Sequence, residues 1–309
     1  MGLNLILHLE GNCMNDEIKI KTLTPLWTGD IDGKCNKIKE TGIIGSLRWW
    51  YEALVRGLGG YACDITSNNS LEKCDYFRDK DRICDACRLF GCTGWSRRFR
   101  IETEYDKNGF NKSGYNSKQE LRIKLIELFP LSDEQKWLFK NTLFLIENYG
   151  AIGGRTPKKP QESKTLGMDY GLTQIIDYGK IEKWDTYITK KDVENYLKKR
   201  KNAIGKNNVK DLFNFKNYWI IDDCFLNRIQ INQLVGRDDD GNYTENADKW
   251  LGGNIGESKK IFSFKTQRKV FGYVRDENEL EKLKSKLIKI IGREKIDFKT
   301  GKKILGDLK

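Results

Sequence analysis

The chain has one histidine, His8, among its 309 residues. Ser-His-Asp, Cys-His and two-histidine ribonuclease mechanisms all need an imidazole as acid or base, and this sequence offers only one. Its setting, Leu5-Ile6-Leu7-His8-Leu9, reads as a strand, where a structural histidine is the plainer account. No run reaches the roughly eighteen apolar residues of a membrane helix. Residues 1–10 lack a basic segment ahead of their short apolar run. Neither a membrane span nor a signal peptide is expected, and the protein is expected in the cytoplasm. The glycine-rich stretch at 150–156 is not closed by Gly-Lys-Ser/Thr, so it is no Walker A loop. Asp238-Asp239-Asp240-Gly241 lacks the later glutamate of an EF-hand.

Positive charge is abundant: 56 Lys plus Arg against 44 Asp plus Glu give +12, with a pI near 9.1. That balance favours a polyanionic partner, although lysine-rich surfaces also arise as solvated ion networks. Aromatics reach 11%, with eight Trp, and cations interleaved with stacking platforms hold single-stranded nucleic acid. The length suits two modest domains, drawn here as 1–150 and 151–309.

Four of the eight cysteines, Cys63, Cys74, Cys84 and Cys87, are spaced Cys-x10-Cys-x9-Cys-x2-Cys. A two-residue spacer lets one turn present two sulfurs about 3.5 to 4 Å apart, which suits tetrahedral zinc. Cys92 is a fifth candidate ligand. The competing reading is a set of reduced, partly buried thiols; a disulfide framework fits a chain of this length poorly.

Periodicity predicts strands at 3–9 and 17–24, then a helix from Gly42 to Gly59-Gly60 with an apolar stripe at Ile43, Leu47, Trp50, Leu54 and Leu58. Arg48, Glu52 and Arg56 fall four apart on another face of that helix, as an ion-pair ladder or as an arginine row for phosphates. Its glycine-rich start, Thr41 to Gly45, could receive a phosphate. Strands follow at 98–105 and 121–129, then a helix capped by Ser132 and running to Tyr149. Gly150, Gly153 and Gly154, beside Arg155, Lys158 and Lys159, read as a backbone that approaches a ligand or as a helix cap followed by a linker. Beyond this, 172–181 is strand-like, 190–201 a basic helix, 218–221 an apolar run, 227–250 irregular, 260–274 one or two strands and 276–292 a helix. The order predicts an α+β fold of two ferredoxin-like units, the first carrying a cysteine-rich insertion at 60–96.

The stretches Thr24-Pro25-Leu26-Trp27-Thr28-Gly29-Asp30, Gly42 to Trp50, Cys87 to Trp95 and Gly150 to Thr156 resemble the RAMP subunits of CRISPR effectors. More narrowly they are similar to the head subunit of the type III-B, or Cmr, complex. The resemblance covers residues 20–160, and the rest only by order of elements. It implies a non-cleaving RNA-binding subunit in antiviral defence that ends a filament of RAMP subunits and contacts the 3′ part of the guide and the target RNA. Candidate RNA contacts are Trp27, Arg48, Trp49, Arg56, Arg97, Arg98, Gly153, Gly154, Arg155, Lys158 and Lys159; candidate zinc ligands are Cys63, Cys74, Cys84 and Cys87. Cleaving RAMP subunits place an aspartate near the first helix, and Asp30 or Asp32 lies in a comparable stretch, so a metal-dependent endoribonuclease is an alternative. Others are a metal-independent processing nuclease with Tyr or Lys in place of histidine, and a purely structural scaffold.

Overall fold

The computed structural model describes residues 15–29, 32–156, 169–238, 240–253, 257–293 and 296–308. The strand expected at 3–9 with His8, and Asp30, Lys158 and Lys159, lie outside the described residues.

The first unit runs β1 (Asn15–Thr22), α1 (Glu40–Gly57), β2 (Phe99–Tyr105), β3 (Glu120–Glu127), α2 (Asp133–Tyr149) and β4 (Thr173–Asp177). In β1, Ile18 and Ile20 point into the core while Lys19 and Lys21 are partly exposed, the two-residue alternation of a half-buried strand. The sheet order is β2-β3-β1-β4 with every pairing antiparallel, the arrangement of a βαββαβ ferredoxin-like unit. Helix α2 opens on a complete capping box between Ser132 and Gln135, as its sequence requires.

The second unit repeats the pattern: β5 (Tyr218–Ile221), α4 (Arg228–Val235), β6 (Ile261–Phe264), β7 (Lys269–Tyr273), α5 (Glu277–Ile291) and β8 (Phe298–Thr300), followed by α6 (Gly301–Asp307). Its sheet order, β8-β5-β7-β6, is that of the first. The fold is therefore α+β with two ferredoxin-like units. Between them lies the basic helix α3 (Lys190–Ile204).

Two expectations change. The boundary drawn at 150 falls short, because the strand that completes the first sheet, Thr173–Asp177, comes after the glycine-rich stretch and pairs with β1. The segment expected to be irregular, 227–250, contains α4. Asn227 and Gln230 form its capping box and Gly236 ends it in the left-handed conformation. Those signals stand in the sequence, but eight residues leave little periodicity to see.

The units share a core. Trp49 and Trp50 of α1 reach across to the second unit, Trp49 at 4.5 Å from Phe213 and Trp50 at 5.6 Å from Phe213 and 6.2 Å from Phe271. An aromatic side chain buries about 150–250 Å², worth about 4–6 kcal/mol in transfer terms before entropy. Gly150 lets the chain leave α2 beside this cluster, since a Cβ there would lie 2.4 Å from the Trp50 ring. No described helix is long and apolar enough to cross a membrane.

Candidate nucleic-acid interface and cysteine cluster

The expected insertion lies between α1 and β2, with short helices at Tyr76–Asp79 and Asp85–Phe90. It brings Cys63, Cys74, Cys84 and Cys87 together, all buried, with sulfurs within 4.8 Å of one another. Four sulfurs around one zinc stand about 3.8 Å apart, and Cys63 Sγ lies 3.5 Å from Cys87 Sγ. The cluster also has the donors a thiolate group needs. Cys84 N–H donates to Cys74 Sγ (3.3 Å), Cys87 N–H to Cys84 Sγ (3.5 Å) and Arg48 Nη2 to Cys87 Sγ (3.1 Å). Contact with the other thiols, Cys63 first, pushes the Cys87 thiol up, the expected cost of crowding sulfurs with no cation to neutralise them. The set fits a soft, four-coordinate metal. Cys92 is half-buried and beside Cys87, whose contact pulls the Cys92 thiol down; it stands outside the group of four. None of the seven described cysteines forms a disulfide.

The row Arg48, Glu52, Arg56 faces this insertion. Glu52 pairs with Arg48 at 2.8 Å and with Arg56 at 3.4 Å. Arg48 also donates to Gly91 O. Arg56 is 4% exposed and donates to Ala62 O, Cys63 O and Phe213 O. Both guanidiniums are consumed inside the protein, so the geometry assigns Arg48 and Arg56 to fastening the insertion, and corrects the expectation that they face RNA. The basic helix closes the other side: Arg200 donates to Ile83 O at 2.7 Å and Tyr196 to Asp85 Oδ1 at 2.6 Å.

The neighbouring face of α1, nearer its N-terminus, opens on a cleft of about 680 Å³ between the two units. Thr41, Gly42, Gly45, Ser46 and Trp49 line it from the helix, and Trp27 to Gly29 and Gly153 to Thr156 from the two loops; Ser258, Lys259, Phe262 and Tyr273 come from the second unit. The loops are bound tightly to one another. Gly153 N–H donates to Ser46 Oγ (2.8 Å), Gly154 N–H to Trp27 O (2.7 Å) and Lys39 N–H to Thr28 Oγ1 (2.9 Å). Gly153 has φ +86°, and a Cβ there would lie 2.7 Å from Trp27 O, so only glycine allows the close approach.

Of the residues expected to touch RNA, the cleft thus gathers Trp27, Trp49, Gly153, Gly154 and Arg155. Trp27 is not a free stacking platform: it is 8% exposed, and Arg155 lies over its ring at 3.3 Å. Its role is to hold the guanidinium of Arg155 at the cleft. Arg97 and Arg98 sit elsewhere, beside the insertion. Arg98 donates to Pro130 O at 3.0 Å and lies 5.6 Å from the Trp95 ring. Asp32 is exposed and does not line the cleft.

Lys259 is the residue that sequence reasoning missed. Burial, then the charges of Arg237 and Arg228, push its pKa down. Such a cation gains from an approaching anion. Nothing local in the sequence marks it, because the cleft wall it joins is made by a unit starting some 170 residues after α1.

Residues 19–158 match the model of the RAMP superfamily. No curated protein matches the chain. Among solved structures, the chain is similar to the crystal structure of Cmr1 from Pyrococcus furiosus in its apo form, at 12% identity and a TM-score of 0.42, covering 85% of this chain and 89% of that one. It is also similar to a chain of the cryo-EM structure of the type III-B Cmr-beta complex bound to cognate target RNA and AMPPnP in the presence of ssDNA. There the identity is 11% and the TM-score 0.47, covering 91% of this chain and 99% of that one. The likeness to the RAMP superfamily thus lies in residues 19–158, which hold most of the first unit and the whole cysteine insertion.

Proposed function

We propose that the protein is an RNA-binding subunit of a type III-B CRISPR effector, placed at the end of a RAMP filament and contacting the guide 3′ region and target RNA without cutting either. The observation that carries this reading is the cleft. It offers glycine backbone and the cations Arg155 and Lys259, and no carboxylate or imidazole among the described residues that line it. Such a surface attracts phosphates, and its described lining offers neither the imidazole nor the carboxylate that acid–base cleavage most often uses. The partners in this reading are CRISPR RNA, single-stranded target RNA and neighbouring RAMP subunits in the cytoplasm. The four clustered cysteines hold a structural zinc ion, which ties the insertion together as a disulfide would elsewhere.

The test is to titrate labelled single-stranded RNA with the protein at several salt concentrations, with and without Mg(II) or Mn(II), and to run the RNA on a denaturing gel. Intact RNA and steeply salt-dependent binding are expected. Metal-dependent fragments that vanish in Asp30→Ala or Asp32→Ala would replace this reading with a nuclease. Absence of binding at low salt would leave a scaffold.

A further inference from the structure

Gly45 stands inside α1, where glycine is the least favourable residue apart from proline. The other glycines around the cleft have steric reasons. A Cβ on Gly42 would lie 3.2 Å from Thr28 Cβ, and one on Gly29 would enter the Trp27 ring. A Cβ on Gly45 would meet nothing within 4 Å, and the residue is exposed and lines the cleft. Packing within the protein therefore gives no account of it. What the missing side chain does is leave backbone bare along one wall of a cavity whose other walls carry Arg155 and Lys259 and whose floor is aromatic.

That floor is built jointly by the two units. Trp49 is half-buried, 6.0 Å from Tyr273 and 6.3 Å from Phe262, and all three line the cleft. Ligand pockets commonly span about 300–1,000 Å³, and a cleft of about 680 Å³ is in the range for one nucleotide and too small for a duplex. Unstacked bases of single-stranded RNA are held on aromatic rings while cations follow the backbone.

We propose that the cleft takes a single splayed nucleotide of single-stranded RNA, with its phosphate side along the bare backbone at Gly45 between Arg155 and Lys259 and its base against Trp49, the half-buried ring of the floor. The inference rests on the RNA-binding reading above and deepens it. Stacking on a ring carries no base code, which makes the subsite tolerant of base identity.

The experiment is a graded series, Gly45→Ala and Gly45→Leu, assayed for binding of labelled single-stranded RNA and for thermal stability, together with cross-linking of 4-thiouridine-substituted RNA mapped by mass spectrometry. Both substitutions are compatible with helix and should not lower the melting temperature. Gly45→Leu should weaken RNA binding by about tenfold or more, Gly45→Ala by less. Cross-links in the wild type should fall on the peptide holding Trp49 and disappear in Gly45→Leu. If folded Gly45→Leu binds RNA as the wild type does, or the cross-links fall only on other surfaces, the subsite is wrong while RNA binding stands. If the wild type itself does not bind RNA at low salt, the RNA-binding reading fails first and takes the subsite with it.

Discussion

Helix α1 serves two regions with opposite designs. On one face, at four-residue steps, Arg48, Glu52 and Arg56 meet the cysteine insertion, where these three charges pair with one another and the four clustered cysteines are buried. On the other, Gly42, Gly45, Ser46 and Trp49 meet the inter-unit cleft, where side chains are small or aromatic and the cations come from other elements. The contrast separates two uses of positive charge. Arginines inside a closed network hold a fold together, and their number says little about affinity for RNA. A lysine and an arginine at the edge of an open cavity have charge to spare.

Substitutions at the closed face should act on stability. The largest effect is expected for Cys87→Ser, which removes the sulfur that touches both Cys63 and Arg48. Metal content, measured by elemental analysis, should drop, with a loss of more than about 4 kcal/mol, the range in which lost metal sites fall. Full retention of stability would show that the thiols are ordinary core residues. Next is Glu52→Ala, which leaves two nearly buried guanidiniums without their shared carboxylate. A loss of about 3–5 kcal/mol is expected in chemical denaturation. Were Arg48 and Arg56 in reach of RNA, the same substitution would instead tighten RNA binding, and the division between the two faces would collapse.

Substitution at the open face should act on affinity. Lys259→Ala should lower RNA affinity by up to about tenfold, evenly across sequences, and reduce the slope of log affinity against log salt by about one, with the melting temperature unchanged. A smaller effect is expected at Asp16, which touches neither region and so sets a baseline. The residue is 1% exposed, and burial raises its carboxyl pKa against the opposing pull of Lys180, Trp184 and Lys136. A raised carboxyl pKa penalises the charged folded form, so this group costs stability at neutral pH and the cost fades as pH falls through the raised value. Asp16→Asn should therefore melt slightly higher than wild type at pH 7, and the gain should vanish near pH 3.8.

Much of this was legible in residues that act locally. Ser132 and Gln135 announce α2, the two-residue spacer between Cys84 and Cys87 announces a thiol pair, and the alternation in β1 announces a half-buried strand. What was not legible depends on distant partners. The four-residue spacing of Arg48, Glu52 and Arg56 fixes that they share a face but not what the face meets, and it meets backbone carbonyls and a sulfur. Trp27 reads as a stacking platform until Arg155 is seen lying on it. The strand at Thr173–Asp177 reads as an opening of the second unit, yet its antiparallel pairing with β1 makes it the close of the first. Lys259 is one lysine among many until two ferredoxin-like units are set side by side.

The most direct measurement is the salt dependence of single-stranded RNA binding by the wild type and by the Arg155→Ala/Lys259→Ala double variant, with the RNA afterwards run on a denaturing gel. The account predicts intact RNA, tight binding by the wild type at low salt, and a slope shallower by about two in the double variant. Equal affinity and equal slope for the two proteins would contradict it and assign the cleft to protein contacts.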